Sequence, residues 1–288
     1  MKKMFFPVAA ALLIVGCSGG SADFSIDNPT DASLKLQIDD ASYDIPAHQA
    51  KAISLKAGEH TMDAPATGKI KFIVYANRKG GMINPTLGDY VIVSETYVTD
   101  ESKLKNFRPM GAGPFKLDGV EFDGPFQRVN GLFVDKDWRF GVREPFPASL
   151  EGYDAGNGGN IFRKIFAAPD FVNYYEEQTQ QKGVFEKNRL HESPVRPALQ
   201  VADELPQFAD AQLQADSQPL RKTLESYRHA ADPVEQKKLQ EQYQKQLLDF
   251  VSAFSARVGS MPVEENEKYN TFIRQMGDAM GHSVYVES

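Results

Sequence analysis

The chain reads as an α+β protein with an N-terminal antiparallel β-sandwich, a β-rich middle segment and a C-terminal α-helical hairpin. Three observations carry this. From Phe24 to about Thr99, short runs alternate apolar with polar residues and are separated by turn clusters, with no helical period between them. From 108 to 168 the alternation continues around Asp-Gly and glycine-rich breaks. After about Pro169 the apolar spacing changes from two to nearly four.

In the first stretch, Phe24–Asp27 alternates and stops at the turn cluster Asn28-Pro29-Thr30-Asp31. Leu34, Leu36 and Ile38 give a strand with one apolar face, and Asp39 to Ser42 reads as a hairpin turn into Tyr43-Asp44-Ile45. Ala52–Leu55 is a further short strand, and Ala57-Gly58-Glu59 turns the chain into His60-Thr61-Met62. Ile70–Tyr75 is a longer strand ending at the turn Arg78-Lys79-Gly80-Gly81. Tyr90–Val93 and Thr96–Val98 complete the set.

The middle segment opens at the breaker-rich Arg108–Pro114. Phe115–Leu117, Val120–Phe122, Gly131–Val134 and Trp138–Val142 alternate like strands of a second small sheet, joined by Asp118-Gly119, Asp123-Gly124 and Asp135-Lys136-Asp137. Gly152 to Asn160 is too glycine-rich for a regular element and reads as a loop.

In the last stretch Phe171, Tyr174 and Tyr175 indicate a short helix ending near Gly183, and the proline-rich Glu192–Pro206 wraps a surface. Leu220, Leu224 and Tyr227 mark a helix with Ser217 as candidate N-cap. The next helix has Asp232 to cap it, Pro233 at its first position and Glu235 completing a capping-box pattern. Its stripe runs Leu239, Tyr243, Leu247, Phe250, Val251, Phe254, Val258, and Gly259 stops it. A last helix after Pro262 carries Tyr269, Phe272, Ile273, Met276 and Met280, and Val284-Tyr285-Val286 is a strand returning to a sheet. The chain shows no internal repeat and no low-complexity tract.

The front end gives an address. Lys2 and Lys3 precede an apolar run, Met4 to Val15, shorter than the roughly 18 residues of a spanning helix. The run closes on Ile14-Val15-Gly16-Cys17, which resembles a lipobox and so the leader of bacterial lipoproteins. That resemblance implies cleavage before Cys17, acyl chains on Cys17 and, with Ser18 rather than aspartate next, an outer-membrane destination. Two or more acyl chains give stable anchoring at about 0.8 kcal/mol per buried methylene. Cys17 is the sole cysteine, so lipidation leaves no thiol and no disulfide. The implied division is a signal peptide at 1–16, a lipidated tether at 17–22, a sandwich module at 23–107, a β-rich segment with aromatic loops at 108–168 and a helical region with a terminal strand at 169–288. The run from Leu36-Gln37-Ile38-Asp39-Asp40 through Ile53-Ser54-Leu55 to Gly58-Glu59-His60 resembles extracytoplasmic β-sandwich modules of the PEGA kind, without their glycine after the aspartate.

The formal net charge is −7, and it becomes more negative once Lys2 and Lys3 leave with the signal. An acidic body is poorly suited to general binding of nucleic acid or anionic lipid. The five histidines are scattered, with no paired metal motif, and no metal or cofactor is expected. Nucleophile motifs such as G-x-S-x-G and S-x-x-K are absent, so no catalytic residue is assigned. Asp118, Glu121 and Asp123 form a candidate acidic site, able to hold a cation or serve glycoside hydrolysis, with hairpin turns as the competing explanation. Trp138, Phe140, Phe126 and Tyr153 are candidates for contact with a ligand or partner, weighed against core packing. The expected function is non-catalytic binding, docking or inhibition of another envelope or surface protein. The alternatives are an envelope hydrolase acting on glycan or peptide, and a small-ligand or glycan binder.

Overall fold

A computed structural model describes residues 20–98, 111–147, 159–191, 199 and 204–287. Within them the chain is mixed α+β, with several sheets of mainly antiparallel strands and five α-helices, the last of them C-terminal and followed by a short strand. None of these helices is long and apolar enough to cross a membrane. Residues 1–19 with Cys17, residues 99–110 and most of the proline-rich interval 192–206 lie outside the described residues.

The strands are β1 (Ser21–Asp27), β2 (Leu34–Ile38), β3 (Ala41–Ile45), β4 (Ala50–Lys56), β5 (Gly58–Ala64), β6 (Gly68–Val74), β7 (Gly81–Ile83), β8 (Tyr90–Val98), β9 (Phe115–Leu117), β10 (Val120–Phe122), β11 (Phe126–Val129), β12 (Phe133–Asp135), β13 (Gly159–Ala167) and β14 (Val284–Glu287). The first sheet has the order β12-β7-β1-β4, the second β14-β6-β5-β2-β3 and the third β11-β8-β13, while β9 and β10 form a two-stranded ladder.

The sequence period explains much of this. Leu34, Leu36 and Ile38 are buried and their neighbours Lys35 and Gln37 exposed, as a half-buried strand requires. The end of β6, Phe72–Val74, and the start of β8, Tyr90–Val93, carry apolar residues on both faces, because each is covered on both sides there. Phe72 and Val74 face one cluster while Ile73 and Tyr75 face another.

Several expectations are corrected. At Ala57-Gly58-Glu59 the chain passes from one sheet to another, since β4 pairs with β1 and β5 with β6, helped by Gly58 at φ 135. The turn expected at Arg78–Gly81 runs straight into β7, which pairs parallel to β1 and so breaks an all-antiparallel arrangement. Glycine is required there. A Cβ on Gly80 would lie 1.9 Å from the Asp23 carbonyl oxygen, and one on Gly81 2.0 Å from that of Val134. Tyr90–Val98 is one strand, not two. Trp138–Val142 is irregular apart from an isolated parallel bridge between Phe140 and Lys164. Gly159 and Asn160, read as loop, begin β13. Strands from either side of residue 108 share sheets, since β12 joins β7, and β11 and β13 flank β8.

The helices are α1 (Ala168–Thr179), α2 (Val184–Asn188), α3 (Ala211–Arg228), α4 (Pro233–Ser255) and α5 (Val263–Gly281). Asp232 caps α4 and Pro233 opens it, as the spacing requires. α3 starts earlier than Ser217: Asp210 is its N-cap, accepting from the Leu213 N–H at 2.7 Å, and Ser217 and Pro219 sit inside it. α4 spans 23 residues, so Val258 falls beyond its end in a 3-10 turn.

Four buried clusters among the described residues lie in series. Ile73 of β6 and Tyr75 just past its end meet Leu220, Tyr227, Phe250 and Phe272 of α3–α5. On the other face of the second sheet, Phe72 and Val74 meet Phe24 and Ile26 of the first. Met82 and Val134 then meet Tyr90, Ile92 and Ile165 of the third sheet. Beyond it, Val91, Val93 and Phe166 pack with Phe122 and with Phe171 of α1.

Candidate binding cleft beside Trp138

The pleat of β1 sends Ala22, Phe24 and Ile26 into the core shared with the second sheet, so Asp23, Ser25 and Asp27 occupy its other face. Register extends that face across the sheet. Val134 pairs with Met82, Met82 with Ser25, and Ser25 with Ala52. The row is large and apolar at β12 and β7, small at β1 and β4. Trp138 and Val142 pack on the apolar half, whereas Ser25, Ala50 and Ala52 leave room above the other half. The result is a cleft of about 410 Å³, floored by β1, β4 and β7 and walled by residues 136–144.

The wall is held at many points. Lys136 N–H donates to the Gly80 carbonyl at 2.9 Å, and the N–H groups of Arg139 and Phe140 donate to that of Arg163 at 2.9 and 3.1 Å. Asp137 forms an ion pair with Arg163. Lys164, a residue only 2% exposed, donates from its ammonium to the carbonyls of Gly141, Val142 and Ile165 at 2.6, 3.1 and 2.9 Å. Burial pushes Lys164 down to about 8, against the opposing pull of Asp170 and Glu144. Arg143 grips the fully buried Asp27 with two bonds of 2.8 and 2.9 Å and adds one to the Asn28 carbonyl. The Tyr90 hydroxyl donates to the same carboxylate at 2.7 Å. Burial still outweighs Tyr90 and Arg143 and raises the Asp27 carboxyl above its ordinary range.

The polar groups of the cleft are mixed in sign. Lys136 and Arg139 are exposed and have no ion-pair partner among the described residues, while Asp23 on the floor and Glu144 on the same wall supply negative charge. The Glu144 carboxylate accepts from the Gly141 N–H at 2.7 Å. The Arg139 guanidinium lies 5.3 Å from the Phe162 ring centroid and 5.7 Å from that of Phe140.

Of the candidate contact residues, Trp138 is half-buried and lines the cleft. Phe140 follows it but packs against Phe146, ring centroids 5.6 Å apart. Phe126 is a core residue, 8% exposed and set edge-on to Phe171 at 5.1 Å, because β11 faces α1. It is therefore withdrawn as a contact residue. Tyr153 and Cys17 lie outside the described residues.

The acidic trio has turn chemistry. Asp118 at φ 45 and Gly119 at φ 79 are the two loop residues between Leu117 and Val120, a type I′ hairpin turn. Asp118 also approaches Arg189 at 3.5 Å. Glu121 is exposed opposite Lys116, and Asp123 is exposed just past the strand. No cluster of His, Cys, Asp or Glu able to hold a metal ion is found among the described residues.

Sequence reasoning missed the pins of this wall, Asp27, Tyr90, Arg143 and Lys164. The available signal was the pair Arg163-Lys164 inside Ile161–Ala167, where an otherwise apolar run demands a partner for any charge. It also missed Asp135, which accepts from the Ser283 N–H and pairs with His282 Nδ1, each at 2.7 Å, tying β12 to the start of β14. Burial alone would raise the Asp135 carboxyl, but His282 and Ser283 together hold it below its ordinary value.

Neither a scan against protein-family models nor a search of curated proteins finds a match for this chain.

Proposed function

We propose that this chain is a lipid-anchored envelope protein that holds another envelope or surface protein at the cleft beside Trp138, without catalysing a reaction. The observation that carries the reading is the wall. A loop fixed by Lys164, Arg143 and the Arg163 carbonyl presents Trp138 beside a floor of small side chains, a preorganised surface of the sort that makes binding inexpensive in entropy. The lipobox-like Ile14-Val15-Gly16-Cys17 supports anchoring through acylated Cys17, with Ser18 favouring the outer membrane. In the same reading the first two sheets make a β-sandwich around their shared cluster, and α3 to α5 contain the helical hairpin.

A hydrolase would need two facing carboxylates, whereas Asp118 is engaged in a turn and with Arg189. A glycan ligand is the second reading, favoured by an aromatic ring beside the polar Ser25, Asp23 and Arg139.

Copurification from detergent-solubilised envelopes tests the proposal. The acylated chain should retain one discrete protein, and Trp138→Ala, at unchanged melting temperature, should lose it. Turnover of a cell-wall glycan or peptide by the purified body, with no retained partner, would refute it. Quenching of Trp138 emission by soluble glycan fragments would favour the second reading.

A further inference from the structure

The floor of the cleft ends at β4, and β4 ends the first sheet. In an antiparallel ladder alternate residues turn their N–H and C=O toward the paired strand. The flanking bonds set the parity, Asn28 N–H to the Gln49 carbonyl at 2.9 Å and Ala57 N–H to the Gly20 carbonyl at 2.8 Å. Lys51, Ile53 and Leu55 therefore face β1, and Ala50, Ala52, Ser54 and Lys56 turn their backbone groups outward. Those of Ala52 and Ser54 have no hydrogen-bond partner among the described residues. Ala50 and Ala52 also supply cleft floor, so one strand offers both an open edge and a path toward Trp138.

We infer that β4 accepts an extended, acidic segment of a partner protein as an added strand, with alternate side chains reaching over Ala52 and Ser25 toward Trp138. This rests on the binding reading above and adds the mode and the partner's chemistry. Strand addition takes its affinity from main-chain bonds and its specificity from alternate side chains. Charge supplies the sign. Lys51 and Lys56 on the strand, with Lys136 and Arg139 on the wall, are exposed, have no ion-pair partner among the described residues and outnumber Asp23 and Glu144 beside them, of which Glu144 already accepts from the Gly141 N–H. The same lysines oppose a second copy of this chain. Two β4 edges would bring these lysines into one seam, and the strand itself carries no acidic residue to meet them.

The test uses the full chain and two fluorescein-labelled eight-residue peptides, one alternating valine with glutamate and the other valine with lysine. Anisotropy should show saturable binding of the glutamate peptide alone, with a change in Trp138 emission. Ala52→Pro removes an outward N–H and leaves the ladder to β1 intact, so it should weaken binding by about tenfold or more. The double variant Lys51→Glu, Lys56→Glu should reverse the preference, which keeps the test decisive should Ala52→Pro fail to fold. Equal binding of both peptides, or indifference to both variants, overturns the inference. Retention of the copurified partner by folded Ala52→Pro overturns strand addition while leaving the Trp138 binding reading intact.

Discussion

Lys164 donates to three carbonyls from a site almost closed to water, and burial lowers its pKa to about 8, against about 10.5 for an unfolded lysine. Between those values the unfolded chain binds the extra proton, so this group makes stability rise as pH goes from about 8 to about 10.5. Below about 8 both states are charged and the full burial penalty applies. Locally the effect runs the other way, because a neutral amine has two N–H groups for three carbonyls. Trp138 emission should therefore titrate with a midpoint near 8 as the wall loosens, and Lys164→Met should abolish that titration. A pH-independent spectrum in the wild-type chain would contradict it. Arg143→Ala strands the Asp27 carboxylate in the core and should cost about 3 kcal/mol at neutral pH in urea melts. Since folding raises the Asp27 carboxyl, the penalty should shrink as the solution is acidified toward its folded value, where the buried group is neutral. Gly81→Ala should fail to fold or lose several degrees in melting temperature, because its Cβ would meet the Val134 carbonyl.

The helices join the second sheet through a few buried polar groups. Gln236, fully buried in α4, accepts from the Ala76 N–H at 2.7 Å and donates to the carbonyls of Ala230 and Val74 at 2.8 and 3.2 Å. Tyr75 stacks on Tyr227 of α3 with centroids 4.2 Å apart. Gln236→Leu keeps the bulk and strands three backbone groups, so it should cost about 3 kcal/mol in chemical denaturation. A loss below about 0.5 kcal/mol would mean that this junction does not hold the helices to the sheet.

Which elements could be read from sequence follows from how local their causes are. α4 was legible because Asp232, Pro233 and the 3.6-residue spacing act within one helix. The β9–β10 hairpin was legible because Asp118-Gly119 dictates its turn. β7 was not, since three residues behind two glycines carry no period, and what makes them a strand is β1 on one side and β12 on the other. β13 was hidden by its glycine-rich start and by Arg163-Lys164 in its middle. In the cleft, Trp138 stood out as the sole tryptophan. The bonds that fix its wall join residues as distant as Arg143 and Asp27, a pairing no local pattern encodes.

At the scale of the molecule, the order of layers places the cleft. Helices cover one face of the second sheet, the first sheet covers the other, and the third sheet with α1 follows beyond. The cleft opens where residues 136–144 cover only part of the first sheet, at the edge formed by β4. β1, an inner strand of that sheet, is also the first described strand of the chain. If Cys17 is acylated, the cleft lies within a few residues of its anchor. Cys17→Ser should then release the protein from the membrane fraction, with the mass of the wild-type N-terminus showing the added acyl chains.

Cross-linking in living cells addresses the binding claim most directly, using a photoreactive phenylalanine at the exposed wall position Lys136, with Lys35 on the second sheet as reference. The account predicts a discrete adduct from position 136, none from 35, and its loss when Trp138→Ala is added. Adducts of equal yield from both positions, or none from 136 in cells where the protein is abundant and membrane-bound, would contradict it.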